Sequence, residues 1–247
     1  MTRLVRAELL KLRTVRTTAG IFALTVATSA LIITAVMLIA GRPGQPAIGS
    51  DALPELVLVA KGPLTILALI LGVLGMTGEL RHGTATPTFL VTPNRGRVVA
   101  AKVVAYALAG VALAATSAVV VLGVGLPWLH AKGVDIAIVD AEVGSRLLGL
   151  AATTALHAVL GVGLAALVRN QVVAVVAGLV WMRVEGMIPD LLHRPGLGRW
   201  LPEGAASALV GPGHATLPLW AGGVLFAAYG VALAVIGARF VVSRDLT

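Results

Sequence analysis

The sequence predicts an all-α integral membrane protein with six transmembrane helices, and three observations support this fold class. The chain of 247 residues is 58% hydrophobic, with a mean hydropathy of +0.97. Only 12% of its residues are charged, whereas soluble domains average about 25%. The apolar residues fall in blocks close to the roughly 20 residues that a helix needs to span a bilayer. The blocks lack the alternating polarity of ten-residue barrel strands.

Six apolar blocks define the expected spans. The first, third, fourth and sixth are uninterrupted. The second carries Lys61 and Pro63 near its outer end. The fifth is interrupted by Arg183, Glu185, Gly186 and Pro189. In order, the blocks are Ala19–Ala40, Leu56–Thr77, Val103–Leu126, Leu147–Val168, Val172–Leu192 and Leu219–Ala238.

The distribution of lysine and arginine predicts the orientation in the plasma membrane. With the N-terminus inside, the cytoplasmic segments hold twelve cations and the external segments, to which Lys61 is assigned, hold six. Cytoplasmic loops carry an excess of Lys and Arg, so we expect both termini in the cytoplasm. The net charge of +8 is then largely a topology signal, and no nucleic-acid partner is expected. Cysteine is absent, which excludes disulfides and thiolate metal sites.

Residues 1–18 are expected to form a helix in the lipid headgroup layer, which makes membrane lipid a partner. Apolar side chains gather on one side at helical spacing, while Glu8 and Arg16 interrupt that side. A simpler alternative is a basic anchor for the first span. The candidate residues of this N-terminal helix are Glu8, Lys11 and Arg13.

The longest expected cytoplasmic loop, residues 78–97, reads GELRHGTATPTFLVTPNRGR. A connection that only reverses the chain needs about two to eight residues, so this length requires another purpose. Phe89 and Leu90 lie in an apolar stretch flanked by Thr-Pro turn signals. We expect a short surface helix that docks on a cytoplasmic protein. The alternative is an unusually long basic connector.

Two stretches, AELLKLRT before the first span and GELRHGTATPTFLVTPNRGRVVAAK between the second and third, resemble the permease subunits of ABC-2-type ABC transporters. The resemblance is closest to the short six-span bacterial members, and the layout of the whole chain fits them. It implies a single permease domain over residues 1–247, with an N-terminal elbow helix and a cytoplasmic coupling helix that rests on an ATPase.

The resemblance also implies partners and coupling residues. The partners are two copies of an ATP-binding subunit and a second permease subunit, identical or different, with ATP and magnesium held by the ATP-binding subunits. This chain lacks a G-x-x-x-x-G-K-[ST] phosphate loop, so it is expected to bind no cofactor and to have no ATPase site of its own. The expected coupling residues are Glu79, Arg81, Thr84, Pro87, Phe89, Leu90, Arg95 and Arg97.

Three polar residues inside the spans are further candidates. The resemblance matches Glu185 to an acidic residue near the outer end of the fifth helix, before a possibly re-entrant external segment at 186–218. Arg183 departs from that pattern, and as a charge within the bilayer it is expected to face a bundle interior or cavity, or to snorkel outward. Glu185 lies about 200° away on a regular helix, so pairing needs a helix break or another span. His157 is either a structural hydrogen-bonded residue or a contact for protons or substrate.

The leading prediction is therefore an export permease that is energised by a separate ATPase. An intramembrane enzyme is the first alternative, but the five histidines lack H-E-x-x-H spacing, the serines lack a G-x-S-x-G setting, and no metal site is expected. A secondary transporter with inverted repeats is the second alternative. Only the fifth span is interrupted, so the halves do not show matching broken helices.

Overall fold

The computed structural model describes residues 1–40, 52–81, 95–133, 141–211 and 217–243, and every regular element in these ranges is helical. Two short 3₁₀ segments, Glu185–Met187 and Pro195–Trp200, accompany the α-helices. The α-helices are α1 Thr2–Thr14, α2 Arg16–Ile39, α3 Ala52–Arg81, α4 Arg95–Ala131, α5 Ala141–Val168, α6 Gln171–Val184, α7 Ile188–Leu191, α8 Pro202–Val210 and α9 Leu219–Ser243.

The six predicted spans are confirmed as helices that are long and apolar enough to cross a membrane. Their bounds differ most in α4, which begins at Arg95 instead of Val103. The predicted block begins after Lys102, because a hydropathy boundary is placed at the nearest charged residue. The helix itself continues through Lys102 to Arg95. The suitable segments are Arg16–Ile39, Glu55–Gly78, Gly96–Ala131, Glu142–Val168, Gln171–Leu191 and Leu219–Gly237.

Helix α5 lies at the centre of the bundle, where α3, α4 and α9 pack against it. The crossing of α3 and α5 is close because glycines face the partner backbone. A Cβ added to Gly72 would overlap the carbonyl oxygen of Ala158, and one added to Gly161 would overlap that of Leu69. Small residues at such crossings let transmembrane helices approach closely. Helices α2 and α4 are joined by a buried 2.9 Å hydrogen bond between Ser29 Oγ and Ser117 Oγ.

The fifth span is not one continuous α-helix. Helix α6 ends at Val184, a 3₁₀ turn follows over Glu185–Met187, and α7 is only four residues long. Gly186 and Pro189 account for this, since both residue types disfavour the interior of a helix. The break expected near Glu185 is therefore present. Helices α5 and α6 are joined by a two-residue turn, in which Arg169 has a positive φ of 57° and Asn170 caps α6 by accepting from Val173 N.

Helix α8 packs antiparallel to the middle of α5. In the first turn of α8, a carboxylate oxygen of Glu203 lies 3.2 Å from His157 Nε2. Further along α8, the carbonyl of Ala206 accepts a hydrogen bond from Thr153 Oγ1. Near its C-terminal end, the backbone of Leu209 lies against Gly149. Helix α9 covers its other side. Helix α8 therefore lies beside the middle of α5, next to residues 149–157.

Helix α1 packs against α4 and the start of α2. The apolar side predicted from the sequence faces the bundle core, with Leu12 buried and Val5 and Leu9 half-buried. Val15 has extended backbone and separates α1 from α2. The helix is shorter than the predicted 1–18 segment because the chain turns at Val15.

Candidate functional site

One buried ion pair, here called the elbow pair, joins α1 to α4. Lys102 Nζ lies 2.7 Å from Glu8 Oε2, and the side chains are only 2% and 6% exposed. Lys102 also donates to the carbonyl oxygen of Gly75 at 3.3 Å and lies over the Tyr106 ring, 5.7 Å from its centroid. The second carboxylate oxygen of Glu8 accepts from Lys11 at 2.7 Å. Lys102 thus connects α4 to both α1 and α3.

The sequence interpretation of Glu8 as an interruption of the apolar side needs correction, because the residue faces the bundle and is paired there. Burial by itself raises the pKa of the Glu8 carboxyl, but the charges and hydrogen bonds of Lys102 and Lys11 outweigh burial and hold that pKa below its ordinary value. The carboxylate is therefore ionised at neutral pH. Arg13, the third candidate on α1, is exposed.

A cavity of about 540 Å³ lies beside the elbow pair. It is bounded by α1, α3, α4, the start of α2 and the first residue of α6, Gln171. Apolar side chains such as Leu71 and Leu74 form most of its wall, and Glu8 and Lys102 are among its polar residues. The cavity thus lies between α1 and the neighbouring helices α3 and α6, next to the ion pair that holds α1 to α4.

A second set of ionisable residues, here called the core cluster, consists of the buried Lys61, His157 and Glu185 and the partly buried Glu203, whose side chain is 31% exposed. Lys61 Nζ lies 2.7 Å from Glu203 Oε1 and donates to Ser207 Oγ at 2.9 Å. His157 Nε2 lies 3.2 Å from Glu203 Oε2. The cluster thus joins α3, α5 and α8 through one carboxylate.

Glu185 completes the core cluster from the 3₁₀ turn after α6. Its Oε1 accepts a hydrogen bond from the backbone N–H of Glu203, in the first turn of α8. The first N–H groups of a helix have no partner within the helix, and negative groups are favoured beside them. Glu185 therefore caps α8 from outside that helix, and this hydrogen bond accompanies its nearly complete burial, since the residue is only 2% exposed.

The structure separates the two polar residues that the sequence placed in the fifth span. Glu185 is buried in the core cluster, whereas Arg183 is exposed on the surface of this single chain. Arg183 and Glu185 are not expected to pair directly on a regular helix, and Glu185 instead accepts a hydrogen bond from the backbone N–H of Glu203. His157 is buried, and its Nδ1 lies 2.8 Å from the carbonyl oxygen of Thr153.

Most of the predicted coupling loop lies outside the described residues, including Thr84, Pro87, Phe89 and Leu90. The segments on either side are helical. Glu79 and Arg81 belong to the last turn of α3, and Arg95 begins α4. Arg97, in the first turn of α4, is exposed. Helix α4 leads from this loop directly to Lys102 of the elbow pair.

The sequence did not identify Lys102 as a member of a buried ion pair, or Lys61 and Glu203 as members of a partly buried one. Lys61 was assigned to an external flank, but it lies within α3 and is 7% exposed. The position of Lys61 within an apolar block could have indicated its burial, since charged residues in such blocks usually face the bundle interior. Nothing local identifies Glu203 as its partner, because the two are far apart in the chain.

Among the described residues, no group of three histidine and acidic side chains is arranged to hold a metal ion. Lys61 supplies the cation that faces Glu203 in the core cluster. No protein-family model matches the chain, and no curated protein matches it.

The ion pair of the core cluster should stabilise the packing of α8. Lys61→Met removes the ammonium from Glu203, and hydrogen bonds to charged groups contribute about 1.5–3 kcal/mol. We expect a lower thermal unfolding midpoint in detergent, which can be followed by circular dichroism. Lys132→Met, at an exposed position near the end of α4, makes the same chemical change as a control. Equal midpoints for the two variants would contradict this role.

Proposed function

We propose that the chain is the membrane-spanning permease subunit of an ATP-driven ABC-2-type transporter that exports its substrate. One observation carries the proposal. The two stretches that resemble this family contribute one residue each to the elbow pair, Glu8 from AELLKLRT and Lys102 from the stretch that ends in VVAAK. Residues far apart in the sequence thus form one buried contact, at the point where a coupling loop would connect to the bundle.

The geometry suits transmission of a movement from the loop into the spans. Helix α4 extends from Arg95 to Ala131 as one element, so a push on residues 78–97 would displace its first turn. Lys102 lies two turns further along, where the elbow pair attaches α1. A charge pair that is this well buried resists separation, because each partner would be left uncompensated. Helices α1 and α4 would therefore move together, and the adjacent cavity gives α1 space to do so.

The energy would come from partner subunits. The chain has no phosphate loop, so two ATP-binding subunits would bind ATP and magnesium and rest against the 78–97 loops. A second permease subunit, identical or different, would complete the pathway. The cation bias supports an orientation in the plasma membrane with both termini and this loop in the cytoplasm. Helix α1 would lie at that surface, with its exposed cations towards lipid headgroups.

The segment after the fifth span supports the same proposal. In this family, broken helices that follow the fifth span dip back into the outer leaflet. Helix α8 lies beside the middle of α5, and Glu185 caps it. We infer that the segment 186–218 is re-entrant and that it closes the external end of the bundle.

The test is purification of the chain from its native membranes under mild detergent conditions. We expect a stoichiometric subunit with a phosphate loop to copurify, and the isolated chain to show no saturable binding of magnesium-ATP. Because ATP would bind only to the partner, removing that subunit should remove all nucleotide binding. Transport by the lone chain in liposomes, or magnesium-dependent ATP binding by it, would overturn the proposal.

A further inference from the structure

A second cavity, here called the elbow groove, lies between α1, the start of α2 and α4, and has a volume of about 690 Å³. Its apolar wall comes from all three helices, with Leu9 and Leu12 on α1, Phe22 on α2, and Leu108 and Ala112 on α4. Leu12 is buried, whereas Leu108 is 49% exposed. Helices α2 and α4 are long and apolar enough to cross a membrane. In a bilayer, the exposed part of this wall is therefore available to lipid hydrocarbon.

The charged residues of the elbow groove are both arginines. Arg6 and Arg13 line it, and both are exposed. They are seven residues apart, which is close to two helical turns, so they lie on the same side of α1, about 10 Å apart along its axis. Among the described residues, none that lines the groove is acidic. Because a guanidinium group binds phosphate oxygens through parallel N–H donors, the groove suits an anionic phosphate that adjoins an apolar group.

The cavity beside the elbow pair lies on a different side of α1 and has a different charge. Glu8 lines that cavity, and its carboxylate would repel a phosphate. Lys11 and Lys102, which also line it, are both bonded to Glu8. Glu8 does not line the elbow groove. Of the two cavities that border α1, the elbow groove is therefore the one that favours an anion.

We propose that the elbow groove binds one anionic phospholipid, with its phosphate at Arg6 and Arg13 and an acyl chain along Phe22, Leu108 and Ala112. A free phosphate would leave the apolar wall uncovered, and a neutral hydrocarbon would leave the two arginines without an anion. A phospholipid supplies both parts, and basic pockets between transmembrane helices bind anionic lipid headgroups. The bound lipid would contact α1, α2 and α4 at once. The site requires only that the spans lie in a bilayer, so it does not depend on assembly with an ATPase.

The first test is native mass spectrometry of the purified chain in detergent, titrated with phosphatidylglycerol and with phosphatidylcholine of the same acyl chains. We expect one molecule of phosphatidylglycerol to be retained in preference to the zwitterionic lipid. Arg6→Gln combined with Arg13→Gln should lower the affinity for phosphatidylglycerol on the order of tenfold. The matched control is Arg3→Gln combined with Arg16→Gln, which removes the same charge from exposed positions outside the groove. Equal retention of the two lipids by the wild type, or equal losses in the two double variants, would overturn the proposal.

The second test concerns the acyl chain. Ala112→Trp fills the apolar part of the groove from an exposed position, and Ala115→Trp makes the same change at an exposed position of α4 outside the groove. We expect Ala112→Trp to weaken retention of phosphatidylglycerol several-fold and Ala115→Trp to leave it unchanged. Glycerophosphoglycerol, which is the same headgroup without acyl chains, should not displace the lipid. Displacement by this soluble anion, or equal retention in the two tryptophan variants, would contradict a phospholipid site.

Discussion

Glu8→Gln is expected to lower the free energy of unfolding by about 3–5 kcal/mol, because it leaves the Lys102 ammonium buried without its counter-charge. Both side chains of the elbow pair are almost inaccessible to solvent. The Gly75 carbonyl oxygen, which also accepts from Lys102 at 3.3 Å, is neutral and more distant. The measurement is unfolding of the purified chain in detergent, followed by circular dichroism.

Two control variants distinguish the destabilisation caused by an unpaired buried charge from that caused by loss of an exposed ion pair. Lys11→Gln removes the exposed partner of Glu8, and exposed ion pairs contribute only about 0–1 kcal/mol. Glu8→Gln combined with Lys102→Met removes both buried charges and should recover most of the loss. If Glu8→Gln costs no more than Lys11→Gln, or if the double variant is the least stable, the elbow pair does not hold α1 to α4.

The same pair predicts a dependence on pH. The pKa of Glu8 is lower in the folded chain than in the unfolded chain. Its contribution to stability is therefore fully present above the unfolded value and is lost as the pH falls through the lowered folded value. Acidification should thus reduce the stability difference between the wild type and Glu8→Gln.

Gly161→Val is expected to separate α3 from α5, at a cost of about 3 kcal/mol or more. The added Cβ would overlap the carbonyl oxygen of Leu69, and that oxygen belongs to a helix backbone that cannot turn aside as a side chain can. Helix α5 is central, so its displacement also disturbs the contacts of α8 and α9. We expect loss of folded protein during expression, or a strongly lowered unfolding midpoint in detergent.

Gly144→Val is the matched control in the same helix. A Cβ at Gly144 meets nothing within 4 Å, and the substitution makes the same change in helix propensity and side-chain size. It should leave expression and the unfolding midpoint close to those of the wild type. Equal effects at the two glycines would show that the valine acts through helix propensity and not through the crossing of α3 and α5.

The spans were predictable because they depend on local properties of the chain. Apolar blocks of about 20 residues predict the six helices, and Gly186 and Pro189 predict the interruption of the fifth span. Local hydropathy does not determine where a helix stops at a charged flank. Helix α4 accordingly begins at Arg95, well before the apolar block, and its buried Lys102 is neutralised by Glu8.

The polar clusters were not predictable, because each pairs residues that are remote in sequence. Glu8 and Lys102 meet only after α1 packs on α4, and Lys61 and Glu203 meet only after α8 returns beside α5. A single sequence shows that a charge lies in an apolar block, but it does not show which opposite charge will reach it. For Glu185, the partner is a backbone N–H, which no side-chain pattern indicates.

The most direct test of the central claim, that residues 78–97 couple an ATPase to the spans, is ATP-driven transport by the assembled complex carrying Phe89→Asp. The apolar side chain is expected to fill a groove of the ATPase, and an unpaired charge there costs several kcal/mol of desolvation. We predict normal membrane insertion with loss of the ATPase partner, or a retained partner whose ATP hydrolysis no longer drives transport. Asn94→Asp adds the same charge near the end of the loop and serves as a control. Assembly and transport at the unmodified rate, in Phe89→Asp and also in Glu79→Ala, would contradict the claim.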